Sequence, residues 1–198
     1  MRIYTLLRAA ELCLSVFCLR GAASPNVTGD LGLINLADNQ VCSFRFLFVN
    51  QADGSPYVID RPFDFYLFDF DTGLEEGTLT ESVEVCGLDP VRPFDLSDTI
   101  YSPFIVSSIE AVDLDFDENG NRCFRFFATQ AGSGSNNPEF ASDVFLPLFD
   151  MTPFTIINVL PILLKLNFVA GLSEFTLEYQ ITAAQDVGTS GRNFLFTG

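Results

Sequence analysis

An acidic segment with oxygen ligands at alternate positions is the clearest candidate for chemistry in the sequence. It reads Asp113-Leu-Asp115-Phe-Asp117-Glu-Asn119-Gly120-Asn121. Carboxylate and amide oxygens followed by glycine resemble the start of a calcium-binding loop. The EF-hand pattern is incomplete, because phenylalanine stands where its bidentate glutamate should be. The segment predicts either a structural calcium site of another kind or an acidic hairpin with an Asn-Gly turn. The candidate ligands are Asp113, Asp115, Asp117 and Asn119.

A second pair of acids ends the most apolar run of the chain. Asp69 and Asp71 stand just before Thr72-Gly73, and residues two apart in a strand point to one face. Two interpretations stay open. Asp71 bonds the backbone of its own turn, or the pair joins the first acidic segment in holding one cation. The second interpretation rests on the cost of burying a carboxylate without a partner.

Paired carboxylates could also cleave glycosidic bonds if two of them lie about 5–9.5 Å apart. The chain has no His, which excludes a Ser-His-Asp triad and acid–base catalysis by histidine. It also lacks a Gly-x-Ser-x-Gly elbow and a phosphate-binding loop. We therefore expect no enzyme, with a glycan-active hydrolase or lyase as the alternative. The glutamates considered are Glu75, Glu76, Glu81, Glu84, Glu174 and Glu178.

Composition excludes several classes of partner. The 198 residues include 26 acids and 10 bases, giving a formal charge of −16. Such a chain repels nucleic acid and anionic membrane surfaces. Its 48% hydrophobic content is too high for a disordered acidic chain. The length suits one domain.

The elements that must position these residues are short strands. Phenylalanines at 44, 46 and 48 alternate with other residues, and residues 175–182 alternate between apolar and polar. Turn-forming residues separate such runs, which predicts an all-β fold: a single-domain antiparallel β-sandwich of jelly-roll-like type. Most of the 22 phenylalanines are expected in its core. Further strands are predicted over residues 63–71, 82–86, 100–107, 111–116 and 123–129.

The N-terminus has the order of a secretory signal peptide. Arg2 and Arg8 precede a short apolar run, and small residues follow up to Ala23. We expect residues 1–23 to be removed, leaving the sandwich domain at 24–198 as a secreted, extracellular protein. Asn26 begins an Asn-Val-Thr glycosylation triplet. Three cysteines would remain, and Cys86–Cys123 is the preferred disulfide, with one thiol left free or intermolecular.

Two apolar stretches near the C-terminus need separate interpretations. Residues 153–172 contain Pro161 and Lys165 in their middle, so we expect no membrane span but two buried strands, or a strand and a short helix. Phe194 and Phe196 are two residues apart, which predicts a last strand with both rings on one face. Arg192 should then meet a carboxylate at the rim of the sheet.

Three segments carry a resemblance to a known family. They are Phe68-Asp-Phe-Asp71-Thr-Gly73, residues 132–138 (GSGSNNP) and residues 191–198 (GRNFLFTG). In these motifs the chain resembles a family of uncharacterised secreted proteins of marine algae and other protists, over about residues 29–198. The resemblance implies an extracellular β-rich module and supplies no catalytic residues.

Taken together, these observations predict a secreted, acidic β-sandwich that acts as a binding or surface-structural module. The expected partner is a glycan or another extracellular protein. Structural Ca²⁺ is the candidate cofactor, with Asp69 and Asp71 as additional ligands. Neither nucleic acid binding nor a membrane span is expected.

Overall fold

The alternating phenylalanine runs form strands, as predicted. The computed structural model describes residues 32–37, 39–50, 53–73, 79–96, 100, 105–132, 138, 145, 150–153, 155–183 and 191–197. The predicted signal peptide over residues 1–23, Asn26, Glu75 and Glu76 lie outside these residues.

The described residues form ten strands. They are β1 (Gly32–Ala37), β2 (Gln40–Leu47), β3 (Phe63–Phe68), β4 (Leu79–Cys86), β5 (Phe94–Leu96), β6 (Ile109–Phe116), β7 (Arg122–Ala128), β8 (Leu164–Phe168), β9 (Glu174–Ala183) and β10 (Gly191–Thr197). The strand expected over 100–107 is wrong in its described part, since residues 105–107 are irregular. The short β5 follows Arg92-Pro93 and had no clear alternation in the sequence.

The strands pair into two five-stranded sheets. Sheet I has the order β1-β10-β3-β8-β5, and sheet II has the order β2-β9-β4-β7-β6. When the two orders are compared, the strands at the same position in sheet I and sheet II are consecutive in the chain: β1 and β2, then β10 and β9, and so on. The antiparallel pairs β1·β10, β2·β9, β3·β8 and β4·β7 therefore form one long ribbon that wraps alternately into both sheets. This is the strand order of a jelly roll, and it confirms the predicted all-β sandwich.

Aromatic rings from both sheets fill the space between them. Phe46 of sheet II stacks on Phe175 with ring centroids 4.8 Å apart and meets the edge of Phe196 of sheet I at 5.2 Å. The Phe65 and Phe168 rings of sheet I also contact Phe175. Such offset and edge-to-face pairs add to the stabilisation from burial alone. The expected phenylalanine core is confirmed.

A short helical layer covers the outer face of sheet I. The π-helical turn Thr155–Val159 and the 3₁₀ turn Leu160–Ile162 lead into β8, as the helix-and-strand alternative for this stretch predicted. Val159 and Leu160 pack there with Phe68 and Leu195 in a second apolar cluster. Among the described residues, no helix has the length and apolar character needed to cross a membrane.

The preferred disulfide is present. Cys86 and Cys123 are directly opposite each other on β4 and β7 and are bonded. The bond ties the two strands where the β6–β7 hairpin begins to turn. Cys42 is also disulfide-bonded, and the expectation of one free or intermolecular thiol after removal of residues 1–23 stays a prediction.

The C-terminal strand lies inside sheet I. β10 pairs with β1 on one side and with β3 on the other. Phe194 and Phe196 are buried in the core between the sheets, whereas Leu195 is buried in the outer cluster. The two-residue spacing therefore placed both rings on one face, as expected.

Truncating Phe194 should cost a large part of the stability of the fold. Its ring is 1% exposed and stacks with Tyr179 at 4.6 Å, and replacing a fully packed Phe by Ala costs about 3–5 kcal/mol. We expect Phe194→Ala to lower the denaturant midpoint strongly. Phe116→Ala is the matched control, because Phe116 is 68% exposed. Equal midpoints for the two variants would contradict the placement of β10.

Candidate functional site

Asp71 begins a turn that directs a charged side chain into the interior. Its Oδ1 accepts a hydrogen bond of 2.7 Å from the backbone N–H of Gly73, which has a φ of 82°. This is the turn-closing bond that one of the two sequence interpretations predicted. Asp71 itself is fully buried, and its Oδ2 has no hydrogen-bond partner among the described residues. A turn alone does not require such burial, so the carboxylate must have another role.

Arg192 connects Asp71 to the opposite sheet. Its Nη2 donates to Asp71 Oδ1, and its Nε donates to Glu81 Oε1 at 2.8 Å. Arg192 lies on β10 of sheet I and Glu81 lies on β4 of sheet II. The expected contact between Arg192 and a carboxylate is found, and it is buried between the two sheets. We call Asp69, Asp71, Glu81, Tyr179 and Arg192 the buried acid cluster.

Negative groups outnumber the positive one in this cluster. Burial is the main reason why the pKa of Glu81 rises to about 8, against the opposing hydrogen bond from Arg192. The charges of Asp71 and Asp69 add to the rise. Burial and then the charge of Glu81 raise the pKa of Tyr179 well above its usual value. Glu81 is therefore mostly protonated at neutral pH, and the cluster holds a proton in its interior.

Backbone geometry around the cluster is adapted to it. Asp69 has a φ of 61°, a conformation that costs about 1–2 kcal/mol for a residue with a side chain. The regular alternation places Phe68 in the outer cluster. The turn of the backbone at Asp69 interrupts this alternation, so Phe70, two residues later, enters the core. A Cβ on Gly132 would lie 2.1 Å from Asp71 Oδ2, so only glycine fits against that carboxylate.

The three segments that carried the family resemblance meet at this place. Asp71, Thr72 and Gly73 belong to the first, Gly132 to the second, and Arg192 to the third. Thr72 N–H donates to Gln130 O at 2.9 Å, and Gly132 N–H donates to Gly73 O at 2.9 Å. These described residues of the three motifs therefore lie together around the buried acid cluster.

In the sequence Glu81 is only one of several candidate acids, and its burial was not predicted. It stands two residues before Val83 and four before Val85, on the face of β4 that points inward. That spacing was a signal that the glutamate faces the core. Tyr179 was missed in the same way, because it appeared as one apolar position of an alternating strand.

The acidic segment forms the end of the β6–β7 hairpin. Asp113 pairs with Arg122 across the two strands. Asp117 accepts bonds from the backbone of Asn119 and Asn121 at 2.9 and 2.8 Å, which hold the turn. Hydrogen bonds to these carboxylates lower the pKa of Asp113 and of Asp117. Asp115 is exposed.

The two acidic groups lie too far apart to share one cation. Thr72, next to Asp71, bonds to Gln130 beyond the C-terminal end of β7, whereas Asp117 bonds to Asn121 before its N-terminal end. The seven residues of β7 between them span about 20 Å. In the part of the chain that the structure describes, no group of three or more acidic or cysteine side chains could hold a metal ion.

A polar groove lies on the outer face of sheet II. It encloses about 450 Å³, and its polar side chains come from β2, β4, β9 and the β6–β7 turn, while Phe168 of β8, Leu172 and Phe175 border it. Glu84 and Glu178 are directly opposite each other on β4 and β9. Glu84 also pairs with Arg125, and Glu174 pairs with Arg45 at one side. The polar lining residues are Ser43, Glu84, Glu174, Thr176, Glu178, Asp117, Asn119 and Asn121.

The alternation of each strand produces this groove. The neighbours of its polar residues, such as Phe44, Val83 and Leu177, point inward and are buried. Two candidate calcium ligands, Asp117 and Asn119, are brought beside the two opposed glutamates. Asp113 and Asp115 instead border a separate open depression of about 650 Å³ with Phe116 and Arg122.

Comparison of the chain with protein-family models, with curated proteins and with solved structures gave no match.

Glu81 should make stability depend on pH. Its pKa is about 8 in the folded protein against 4.5 for an ordinary glutamate, so the folded state binds more protons between these values. The stability from this proton is complete below about pH 4.5 and is lost as the pH rises through 8. The slope is at most about 1.4 kcal/mol per pH unit.

The measurement is urea denaturation of wild type and Glu81→Gln from pH 5 to 9. We expect the variant to gain stability relative to wild type as the pH rises, because its amide does not ionise. Glu110→Gln, at an exposed position of β6, controls for the loss of a charge. A difference that stays constant with pH would contradict the buried proton.

The calcium hypothesis makes its own prediction. If the hairpin binds Ca²⁺, millimolar calcium should raise the melting temperature by a few degrees, since a ligand at 100 times its dissociation constant adds about 2.7 kcal/mol. Asp115→Asn should abolish the rise and Glu110→Gln should not. If calcium does not change the melting temperature, the hairpin does not bind Ca²⁺, and its acidic residues serve only to form the hydrogen bonds of the hairpin.

Proposed function

We propose that this protein is a secreted glycan-binding module that holds its ligand in the polar groove on the outer face of sheet II. The observation that carries the proposal is the lining of that groove. It combines hydroxyl, amide and carboxylate side chains from three neighbouring strands and one turn. The signal peptide expected over residues 1–23 supports an extracellular role.

The chemistry of the groove suits a ligand rich in hydroxyl groups. Carboxylates accept hydrogen bonds, hydroxyls accept and donate, and amides offer both a carbonyl and an NH₂ group. Ser43 and Thr176 place hydroxyls beside Glu178, which makes no ion pair with a described residue. Rigid strands hold these groups in a fixed register, as positioned recognition groups require.

A protein partner is the less favoured occupant of the groove. Protein interfaces concentrate their binding energy in buried aromatic and arginine anchors. The aromatic side chains bordering the groove, Phe168 and Phe175, are 1% and 7% exposed. They therefore offer almost no surface to a partner. The two bordering arginines, Arg45 and Arg125, are already paired with glutamates.

A glycan-active hydrolase or lyase is the second candidate function. Residues directly opposite on neighbouring antiparallel strands have Cβ atoms about 4.5–5.5 Å apart. Glu84 and Glu178 meet this condition, and retaining glycosidases use carboxyl groups about 5–5.5 Å apart. Arg125 already donates a hydrogen bond to Glu84, so one of the two carboxylates is engaged in an ion pair, and this favours binding over catalysis.

A glycan array tests the proposal, probed with the purified protein with and without calcium. We expect binding to a defined set of glycans, and at least a tenfold loss of affinity in Glu178→Gln or Thr176→Val. Glu110→Gln is the control, since it removes an exposed acid on β6 outside the groove. Absence of binding to every glycan, or equal loss in the control, would refute the proposal.

The same glycans distinguish binding from catalysis. Each one bound is incubated with the protein, and new reducing ends or unsaturated products are measured. Products that form with wild type and disappear with Glu178→Gln would establish the hydrolase or lyase. Bound glycans that stay intact leave a binding module.

A further inference from the structure

The lysine of this chain lies in a polar network on the outer face of sheet I. Lys165 is the single lysine in the sequence. It stands directly opposite Asp95 of β5, across the antiparallel pair β5·β8. Its Nζ lies 3.0 Å from Asp64 Oδ2 and 3.6 Å from Asp95 Oδ2. The ammonium group is therefore held between two carboxylates that differ in environment.

Asp95 is the buried member of this network. Its side chain is 1% exposed, against 42% for Asp64. Arg92 Nε donates to its Oδ1 at 2.7 Å, and Asn167 Nδ2 donates to its Oδ2 at 3.1 Å. Both oxygens thus face fixed hydrogen-bond donors, and solvent has little access to its carboxyl carbon.

We propose that Lys165 and Asp95 form an intramolecular isopeptide bond, with Asp64 as the group that moves the protons. The amine and the carboxyl group come from facing positions of neighbouring strands, so no chain movement is needed to bring them together. Groups held about 3–3.5 Å apart in a fixed orientation react with effective molarities far above those reached in solution. Lys165 Nζ lies 3.6 Å from Oδ2 of the carboxyl group whose Cγ it would attack.

The reaction balances without an external reagent. Asp64 accepts a proton from Nζ and passes it to Asp95 Oδ2, which leaves a neutral amine beside a neutral carboxyl group. Nζ attacks Cγ of Asp95, and the developing charge on Oδ1 is stabilised by Arg92 Nε. A second proton moves from Nζ through Asp64 to Oδ2. The Cγ–Oδ2 bond breaks, the amide remains, and one water leaves.

The position of the bond gives it a structural purpose. β5 has three residues and is an edge strand of sheet I, so few ladder hydrogen bonds hold it. An amide from Asp95 to Lys165 would tie this strand covalently to β8, which pairs with β3 on its other side. The disulfide Cys86–Cys123 ties two strands of sheet II in the same manner.

Intact mass and lysine-specific proteolysis test this proposal on the purified full protein, reduced and denatured. We expect a mass lower by one water than the same chain calculated from its measured N-terminus. We also expect resistance to a protease that cleaves after lysine, and a cross-linked peptide pair containing Asp95 and Lys165. A chain with its full mass that is cut after Lys165 would show that the two residues form an ion pair only. Loss of water with cleavage after Lys165 would likewise overturn the proposal.

Three variants make the test specific. Arg45→Lys adds a lysine on the outer face of sheet II, and cleavage there shows that the protease works on this chain. Lys165→Arg keeps the charge, lacks the amine and is expected to retain its full mass. Asp64→Asn, checked for folding by circular dichroism, should lose most of the cross-link. Complete cross-linking in a folded Asp64→Asn protein would overturn the role given to Asp64.

Discussion

The hydrogen bonds that Arg192 donates to Asp71 and Glu81 in the interior are the constraint on which the rest of this fold is arranged. They join the C-terminal strand, the turn after β3 and the inward face of β4, and so connect both sheets. Removing one partner of a buried charge pair typically costs about 3–5 kcal/mol, because the remaining charge has no compensation. The left-handed backbone conformation of Asp69 and the lack of a side chain at Gly132 both make this arrangement possible.

The jelly roll explains how groups so distant in sequence come together. The ribbon is formed by a chain that folds back along itself. Its first and last strands, β1 and β10, are therefore paired although they lie at opposite ends of the described chain. The interior between the sheets is filled by phenylalanine rings from both of them. Because the rings occupy most of the inward positions, the polar residues that alternate with them on sheet II point outward and form the groove, and Glu81 is the acid of β4 that points inward.

The acidic residues of the chain occur in two kinds of environment. Those on the outer faces and at the hairpin are balanced by arginines, by turn hydrogen bonds or by solvent, as with Asp113 and Asp117. Those of the buried acid cluster share one arginine and keep a proton on Glu81. A high negative charge is therefore compatible with a stable core, because few of the acids enter it and those that do are partnered.

The sequence by itself determined the local features of this protein. The two-residue alternation predicted β2, β7 and β9, and the turn residues separated them into a sandwich. The preferred Cys86–Cys123 pairing was also right. These features depend on periodicity and turn chemistry, which neighbouring residues specify. The strand expected over 100–107, which is irregular at residues 105–107, and the unpredicted β5 show the limit, because neither has a clear alternation.

Only the tertiary structure decided which distant residues meet. Glu81 lies 111 residues from Arg192 in the chain, and the sequence around either residue does not predict the contact between them. The opposition of Glu84 to Glu178, and of Asp95 to Lys165, follows from strand register. Register and sheet order arise from packing all the strands around one core. The chemistry available at each candidate site therefore depends on the whole fold.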